Sequence, residues 1–374
     1  MTKISIAEFF GEPLNYGGQE AFIINVYSNI DKKKFNFSFI TPFEAENENL
    51  KELIKNNSDE LISDSNEFNS NLRKKYILQT AKKYLTKKFD VVHIHSGSTF
   101  TLLQVSKIAK KNGIKKVIVH SHAAGVNTIK YKMIKFLSDL KIKKYADYFF
   151  ACSFEAGKWK YPSSVVNGDK FHIIKNGIDI KKYSYNEKKR QQYREKFNIE
   201  NENVIIHVGR FSREKNQSFI IDTFNEVLKL KKDSKLFLIG GNGETLEKIK
   251  EKVKSLKLED NIIFLLNRND VNNLINMGDV FILPSLWEGL PFTGIEAQAN
   301  GIPCLFSDSI SGELAITKVY NKLSLTEGPN VWAQEICKLF KNKRINTEND
   351  IRKNGYDIKD TCCFLEEIYG DKND

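Results

Sequence analysis

The chain reads as an α/β protein of two domains, each built on a parallel sheet, and three observations carry that expectation. Short β-branched or aromatic runs alternate with Lys/Glu-rich stretches of helical period along the sequence, as strands joined by crossover helices do. The runs fall into two similar series, one in each half of the chain. A length of 374 residues suits two domains, each large enough to close its own core.

In the first series strands are predicted over residues 4–9, 35–41, 89–94, 116–120, 148–151 and 172–175; in the second, over 204–208, 235–239, 261–265, 280–283 and 303–307. Pro162, Gly168, Asn176 and Gly177 punctuate the chain ahead of a charged, strand-free stretch, so the break falls within residues 165–200. The division expected is 1–170 and 171–354, with a final helix over 355–374.

Composition narrows the function classes. Lys and Arg number 58 against 47 Asp and Glu, a formal charge of +11, and 41% hydrophobic content excludes disorder for most of the chain. The sequence holds no apolar run long enough to span a bilayer, and the opening MTKISIAEFF is too short and polar-flanked for a signal peptide. A soluble cytoplasmic protein is expected. Five cysteines without C-x-x-C spacing read as reduced thiols and suggest no zinc site.

The positive balance points to an anionic partner, a phosphorylated substrate or a membrane surface; no nucleic-acid motif accompanies it, so no nucleic-acid partner is expected. Charge is also segregated. Residues 44–67 carry eight acids against Lys51 and Lys55, read as a solvated helical face, whereas residues 104–146 carry eleven lysines against Asp139 alone. Tyr131, Met133, Ile134, Phe136 and Leu137 interleave with those lysines, which suits an amphipathic helix on anionic lipid or a solvated face packed on the core.

The sharpest chemical signal is Val208-Gly-Arg-Phe-Ser-Arg-Glu-Lys215. A strand end, the glycine turn at Gly209, the cations Arg210, Arg213 and Lys215, and a helix opening near Asn216 make an anion site suited to a diphosphate. Ile239-Gly-Gly-Asn-Gly-Glu244 adds a glycine-rich turn around Gly241, but it lacks the third glycine of G-x-G-x-x-G, so a dinucleotide dehydrogenase is poorly supported. In Leu283-Pro-Ser-Leu-Trp-Glu-Gly-Leu-Pro-Phe-Thr-Gly-Ile-Glu-Ala297 the carboxylates Glu288 and Glu296 flank the loop Leu290, Pro291, Phe292 and Thr293, at a helix start near Phe292. Its amides suit a phosphate or hydroxyl, and paired carboxylates suit the vicinal diol of a sugar or ribose.

Four of the six histidines form two H-x-H pairs, His93/His95 and His120/His122, each at the carboxyl end of a predicted strand. Alternate residues share a strand face, so each pair can converge on one crevice, as metal ligands of a hydrolase or as polar contacts to a sugar or phosphate. Tyr16-Gly-Gly-Gln-Glu20 opens a helical run, and Gly17 and Gly18 there permit close approach to an anion.

Together these residues resemble retaining glycosyltransferases of family four with GT-B architecture, especially those that assemble bacterial capsular or exopolysaccharides. The resemblance runs nearly end to end, through Gly17-Gly-Gln-Glu20, Asp90-Val-Val-His-Ile-His95, Val119-His-Ser-His122, Ala151-Cys-Ser-Phe-Glu-Ala-Gly157, Asn176-Gly-Ile-Asp179, Gly209-Arg-Phe…Lys215 and Glu288…Glu296. It implies two Rossmann-like domains facing a central cleft, with the last helix crossing back to the first domain. It also implies that Arg210 and Lys215 bind the donor diphosphate in place of a metal, Glu296 the ribose, Glu288 the donor sugar, and the amides of Leu290 to Thr293 the distal phosphate and sugar. Gly18 would approach the diphosphate, Arg268 would lie near the base, and His122, with His120 as second choice, would stand at the reaction centre. Asn267 stands where the family often has glycine.

The reaction so implied moves a hexosyl or N-acetylhexosaminyl group, with retention and without a cofactor, from a nucleotide diphosphate sugar, UDP-linked by preference. The acceptor would be a saccharide, polyprenyl-diphosphate-linked, at the inner membrane face. A sugar-nucleotide epimerase and a metal-dependent hydrolase using the H-x-H pairs are the alternatives.

Overall fold

The computed structural model describes residues 3–15, 17–122, 141–288 and 290–371. The chain divides into two compact units, residues 1–177 with 358–374, and residues 178–357.

In the first unit β1 (Ile4–Phe10), β2 (Phe35–Phe43), β3 (Glu60–Asn66), β4 (Val91–His95), β5 (Lys116–Ser121), β6 (Tyr148–Ala151) and β7 (Phe171–Ile173) form one parallel sheet in the order β3-β2-β1-β4-β5-β6-β7. Ile6, Ala7, Phe9 and Phe10 are all buried, because helices cover both faces of the central strands. The helix Thr99–Lys111 shows how these crossovers form: the Ser98 side chain accepts from the Thr101 amide, and Leu102, Val105 and Ala109 lay an apolar stripe into the core shared with Ile77 and Ala81.

β7 keeps the chain in this sheet, so the unit runs past residue 170 to Gly177. The C-terminal helix Ile358–Gly370 also belongs here. Lys116 Nζ, buried, donates to the carbonyls of Ile368 and Asp371 at 2.6 Å each, and Glu366 accepts from the Asp31 amide at 3.0 Å.

Two sequence expectations need correction in this unit. The acidic segment 44–67 is not one helical face: the helix Glu48–Asn56 is followed by the edge strand β3. Lys116, within the basic segment, is an internal anchor for the last helix rather than a solvated charge. The interleaved Tyr131, Met133, Ile134, Phe136 and Leu137 lie outside the described residues. Among the described residues no helix is long and apolar enough to cross a membrane.

In the second unit β8 (Asn203–Val208), β9 (Ser234–Gly240), β10 (Ile262–Leu266), β11 (Val280–Leu283), β12 (Cys304–Ser307) and β13 (Tyr320–Leu323) form a parallel sheet in the order β10-β9-β8-β11-β12-β13. Its two faces carry separate apolar clusters, one around Ile206, Phe237 and Phe281, the other around Ile205, Phe224 and Trp332. Each sheet reverses its strand order once, between β1 and β4 and between β8 and β11. Doubly wound sheets bind ligands beyond the carboxyl ends of the strands at such a switch point.

Candidate active site

The two loops singled out in the second half of the sequence follow β8 and β11, so they flank the switch point of the second sheet. After Val208 the chain turns at Gly209, exposes Arg210, makes a short 3-10 turn over Arg213–Lys215 and enters the helix Gln217–Leu230. Lys215 Nζ lies 2.7 Å from Glu288 Oε2, and the other carboxylate oxygen of Glu288 accepts from the Ser285 hydroxyl. The Leu286 amide donates to the Glu214 carbonyl at 2.8 Å, which joins the two loops through the backbone as well.

Arg210 is placed differently. Its side chain is 59% exposed, and among the described residues its guanidinium has one ion-pair partner, Glu214 at 3.4 Å, so it is available to an anion. Arg213 lies over the ring of Trp287, itself exposed. Glu296, in the helix Phe292–Asn300, is bonded to the Tyr183 hydroxyl; burial raises its pKa and the Tyr183 bond opposes that rise. Thr293, in the first turn of the same helix, has a buried hydroxyl without a hydrogen-bond partner among the described residues. Leu290 and Phe292 pack on the core beneath the loop, and Pro291 caps the helix; Gly289 lies outside the described residues.

The glycine-rich turn after β9 has a steric cause. A Cβ on Gly240 would stand 2.0 Å from the Gly209 carbonyl oxygen, and one on Gly243 would stand 1.9 Å from that of Phe211. The turn therefore lies directly against the backbone of the Arg210 loop. Gly241 has room for a Cβ, with Asn267 Oδ1 at 3.6 Å as its nearest neighbour. Asn267 itself adopts φ +52°, in the left-handed region where glycine is unstrained and asparagine tolerated. Arg268 beside it is held bidentately by Asp270, at 2.8 and 2.6 Å, and Tyr193 donates to the same carboxylate.

In the first unit β4 and β5 are neighbours, with His95 opposite His120, so all four histidines of the H-x-H pairs gather at the carboxyl ends of these strands. Glu8 of β1 joins them. His95 Nε2 is 2.6 Å from Glu8 Oε2, and His95 Nδ1 is 2.8 Å from His122 Nε2. Tyr369, from the C-terminal helix, donates to Glu8 Oε1 at 3.2 Å and lies 2.7 Å from His93 Nδ1. Burial pushes the Glu8 carboxyl up to about 8 and holds His122 at about 3, with His93, His95 and His120 also well below the ordinary histidine range.

His93, His95 and His120 bring ring nitrogens within 4.8 Å of one another. His93 and His120 nevertheless stack with their rings 5° from parallel. Their lone pairs therefore run in parallel planes and do not meet at one point, and both nitrogens of His95 already have partners. A metal needs convergent lone pairs, so this arrangement does not favour the hydrolase alternative.

Gly17 and Gly18 open the helix Gly18–Asn29, exposed. The Glu20 carboxylate folds back to accept from the amides of Asn15, Gly17 and Glu20, so it occupies donors that an incoming anion would use. Tyr16 lies outside the described residues. Sequence reasoning missed Glu8, Tyr183, Ser285, Asp270 and Tyr369. A lone carboxylate inside the apolar run Ile4–Phe10 was the one visible signal for Glu8.

Two Rossmann-like units, the second with cationic and carboxylate loops on either side of its switch point, define the GT-B class of glycosyltransferases. Residues 189–358 match the family described as Glycosyl transferases group 1. The chain is 26% identical to the putative glycosyltransferase EpsF of Bacillus subtilis, over 95% of this chain and 94% of that one. It is 28% identical to the UDP-Gal:alpha-D-GlcNAc-diphosphoundecaprenol alpha-1,3-galactosyltransferase of Escherichia coli, over 65% of this chain and 64% of the relative. Among solved structures it superposes on Anabaena HepE in complex with UDP with a TM-score of 0.67 and 16% identity, covering 98% of this chain and 96% of that one. That likeness is one of fold.

Proposed function

We propose that the protein transfers a hexosyl or N-acetylhexosaminyl group, with retention, from a UDP-sugar to a saccharide carried on a polyprenyl diphosphate during assembly of a surface polysaccharide. The observation that carries this reading is the joined pair of loops at the β8/β11 switch point, where Arg210 stands available and Lys215 is locked to Glu288. A departing nucleoside diphosphate gains negative charge in the transition state, and fixed cations stabilise it without reorganisation. Arg210 and Lys215 serve the diphosphate, Glu296 the ribose hydroxyls, Glu288 the sugar hydroxyls, and the amides of Leu290 to Thr293 the distal phosphate. Arg268, steadied by Asp270, borders the base. A UDP complex among the structural relatives and a diphosphoundecaprenol-linked acceptor named for the E. coli relative support the choice of donor and acceptor class.

The test is transfer from a panel of UDP-, GDP- and ADP-sugars to a synthetic polyprenyl-diphosphate saccharide in excess chelator. Metal-independent turnover of a UDP-sugar with retained anomeric configuration is expected. Inversion, or strict dependence on added manganese or magnesium, contradicts the reading.

A further inference from the structure

Within the second unit, Trp287 and Arg213 stand together on the loops that carry Glu288 and Lys215. The indole is 55% exposed. Arg213 is exposed as well, and among the described residues its guanidinium makes no ion pair. The guanidinium carbon lies 6.0 Å from the ring centroid, at the outer limit of a cation–π contact, so each group keeps its capacity for a ligand. Backbone contacts fix both positions: the Leu286 amide donates to the Glu214 carbonyl at 2.8 Å, the Ser311 amide to the Glu288 carbonyl at 3.2 Å, and the Arg213 amide to Glu244 Oε1 at 3.1 Å. Trp287 thus sits between two tied residues, and an indole has only two rotatable bonds left to order on binding.

We infer that Trp287 and Arg213 recognise the acceptor as a glycosyl diphosphate: the indole stacks on the apolar C–H face of the sugar, and the guanidinium pairs with the diphosphate attached to it. The inference rests on the reading that the acceptor is a saccharide carried on a polyprenyl diphosphate. In such a ligand the sugar and the first phosphate are joined directly at the anomeric carbon, so one molecule reaches both side chains at their observed separation. The C–H groups on one face of a pyranose are weakly positive and meet the negative face of the indole. The planar guanidinium offers paired donors to phosphate oxygens, which a lysine at the same place would not.

A UDP-sugar is a glycosyl diphosphate too, and the loop geometry favours the acceptor over it. Glu288 turns its carboxylate inward, onto Lys215 at 2.7 Å and the Ser285 hydroxyl, with its side chain only 13% exposed. Trp287, one residue earlier, is on the exposed side of the same loop. A donor sugar bound by Glu288 therefore occupies the buried side, and the indole is left for a second sugar. The cations divide in the same way: Lys215 is locked to Glu288, whereas Arg213 lies by Trp287.

Calorimetry on the full chain tests the pair, with N-acetylglucosamine linked to farnesyl diphosphate as the acceptor probe, in the presence and absence of saturating UDP. Trp287→Ala should weaken the probe about 5- to 20-fold and Trp287→Phe less than about threefold, since a smaller ring still stacks. Arg213→Gln should weaken it about tenfold or more. Farnesyl diphosphate without the sugar should respond to Arg213→Gln and not to Trp287→Ala. Affinity for UDP and for UDP-N-acetylglucosamine should stay within about threefold throughout, and in transfer assays the variants should raise KM for the acceptor and not for the donor. No wild-type binding of the probe, or wild-type affinity in both Trp287→Ala and Arg213→Gln, overturns the inference. Weaker UDP-sugar binding with unchanged probe binding assigns the pair to the donor and overturns it equally. If the variants lose the probe as expected but wild type neither binds UDP nor transfers sugar from any UDP-sugar, the reading of function fails and the recognition of a glycosyl diphosphate stands.

Discussion

Lys215 and Glu288, 73 positions apart in sequence, meet at 2.7 Å with side chains only 16% and 13% exposed. The contact ties the loop after β8 to the loop after β11, and it leaves Arg210 as the less engaged cation of the first loop. A partly buried pair of this kind is costly to break one partner at a time, because the survivor keeps its charge and loses its counter-ion. Lys215→Met and Glu288→Gln should therefore each destabilise the second unit, and the double variant should lose less stability than the sum of the two. A double-mutant cycle by urea denaturation is expected to give a coupling of about 1 to 3 kcal/mol; strict additivity would show that the pair does not bind the loops together.

Tyr183 acts on Glu296 against the effect of burial. Its hydroxyl bond opposes the rise that burial causes in the Glu296 pKa, so Tyr183→Phe should move that pKa further up. A larger fraction of Glu296 is then protonated at pH 6 than at pH 8, and a protonated carboxyl is the poorer acceptor for ribose hydroxyls. Calorimetry with UDP should show a loss of up to about fivefold at pH 6, less at pH 8, from one hydrogen bond's worth of free energy. Equal affinity of variant and wild type at both values would remove Glu296 from the nucleotide contacts.

The parallel strands were legible because buried strands of α/β sheets are continuous apolar runs such as Val280–Leu283, flanked by glycine and proline. β3 (ELISDSN) and β13 (YNKL) were not, since each is an edge strand with one neighbour and needs little apolar surface. Both chemical loops were visible as motifs, yet the Lys215–Glu288 contact was not, because it depends on β8 and β11 lying side by side. The histidine pairs were visible too. Their partners were hidden, Glu8 by its apolar neighbours and Tyr369 by a distance in sequence of 276 residues from His93.

Gly240 and Gly241 should respond oppositely to alanine. At 240 the new Cβ would meet the Gly209 carbonyl at 2.0 Å, a backbone atom that cannot rotate away, whereas at 241 the nearest atom is 3.6 Å off. Gly240→Ala should cost about 1 to 3 kcal/mol or more and weaken UDP binding by shifting the Arg210 loop. Gly241→Ala should stay within about 0.5 kcal/mol of wild type in thermal unfolding. Similar stabilities for the two variants would contradict the close packing of the β9 turn on that loop.

His207 supplies a pH dependence that can be isolated. Burial holds it at about 3, so the native state keeps it neutral while the unfolded chain binds a proton below about 6.5. The unfolded state then carries more protons, and stability falls as pH drops from 6.5 toward 3. His207→Gln removes this contribution. The stability gap between wild type and variant should therefore narrow by about 2 kcal/mol between pH 7.5 and pH 5. A constant gap would mean that His207 is protonated in the folded protein.

The central claim is that the loops after β8 and β11 hold the nucleoside diphosphate of the donor. Calorimetric titration of UDP into wild type, Arg210→Ala and Glu296→Ala tests it most directly. Loss of one charge-assisted contact should weaken binding by about 1.5 to 3 kcal/mol, one to two decades in affinity, in each variant. Unchanged UDP affinity in both variants, with their folds intact by circular dichroism, would contradict the assignment of the site.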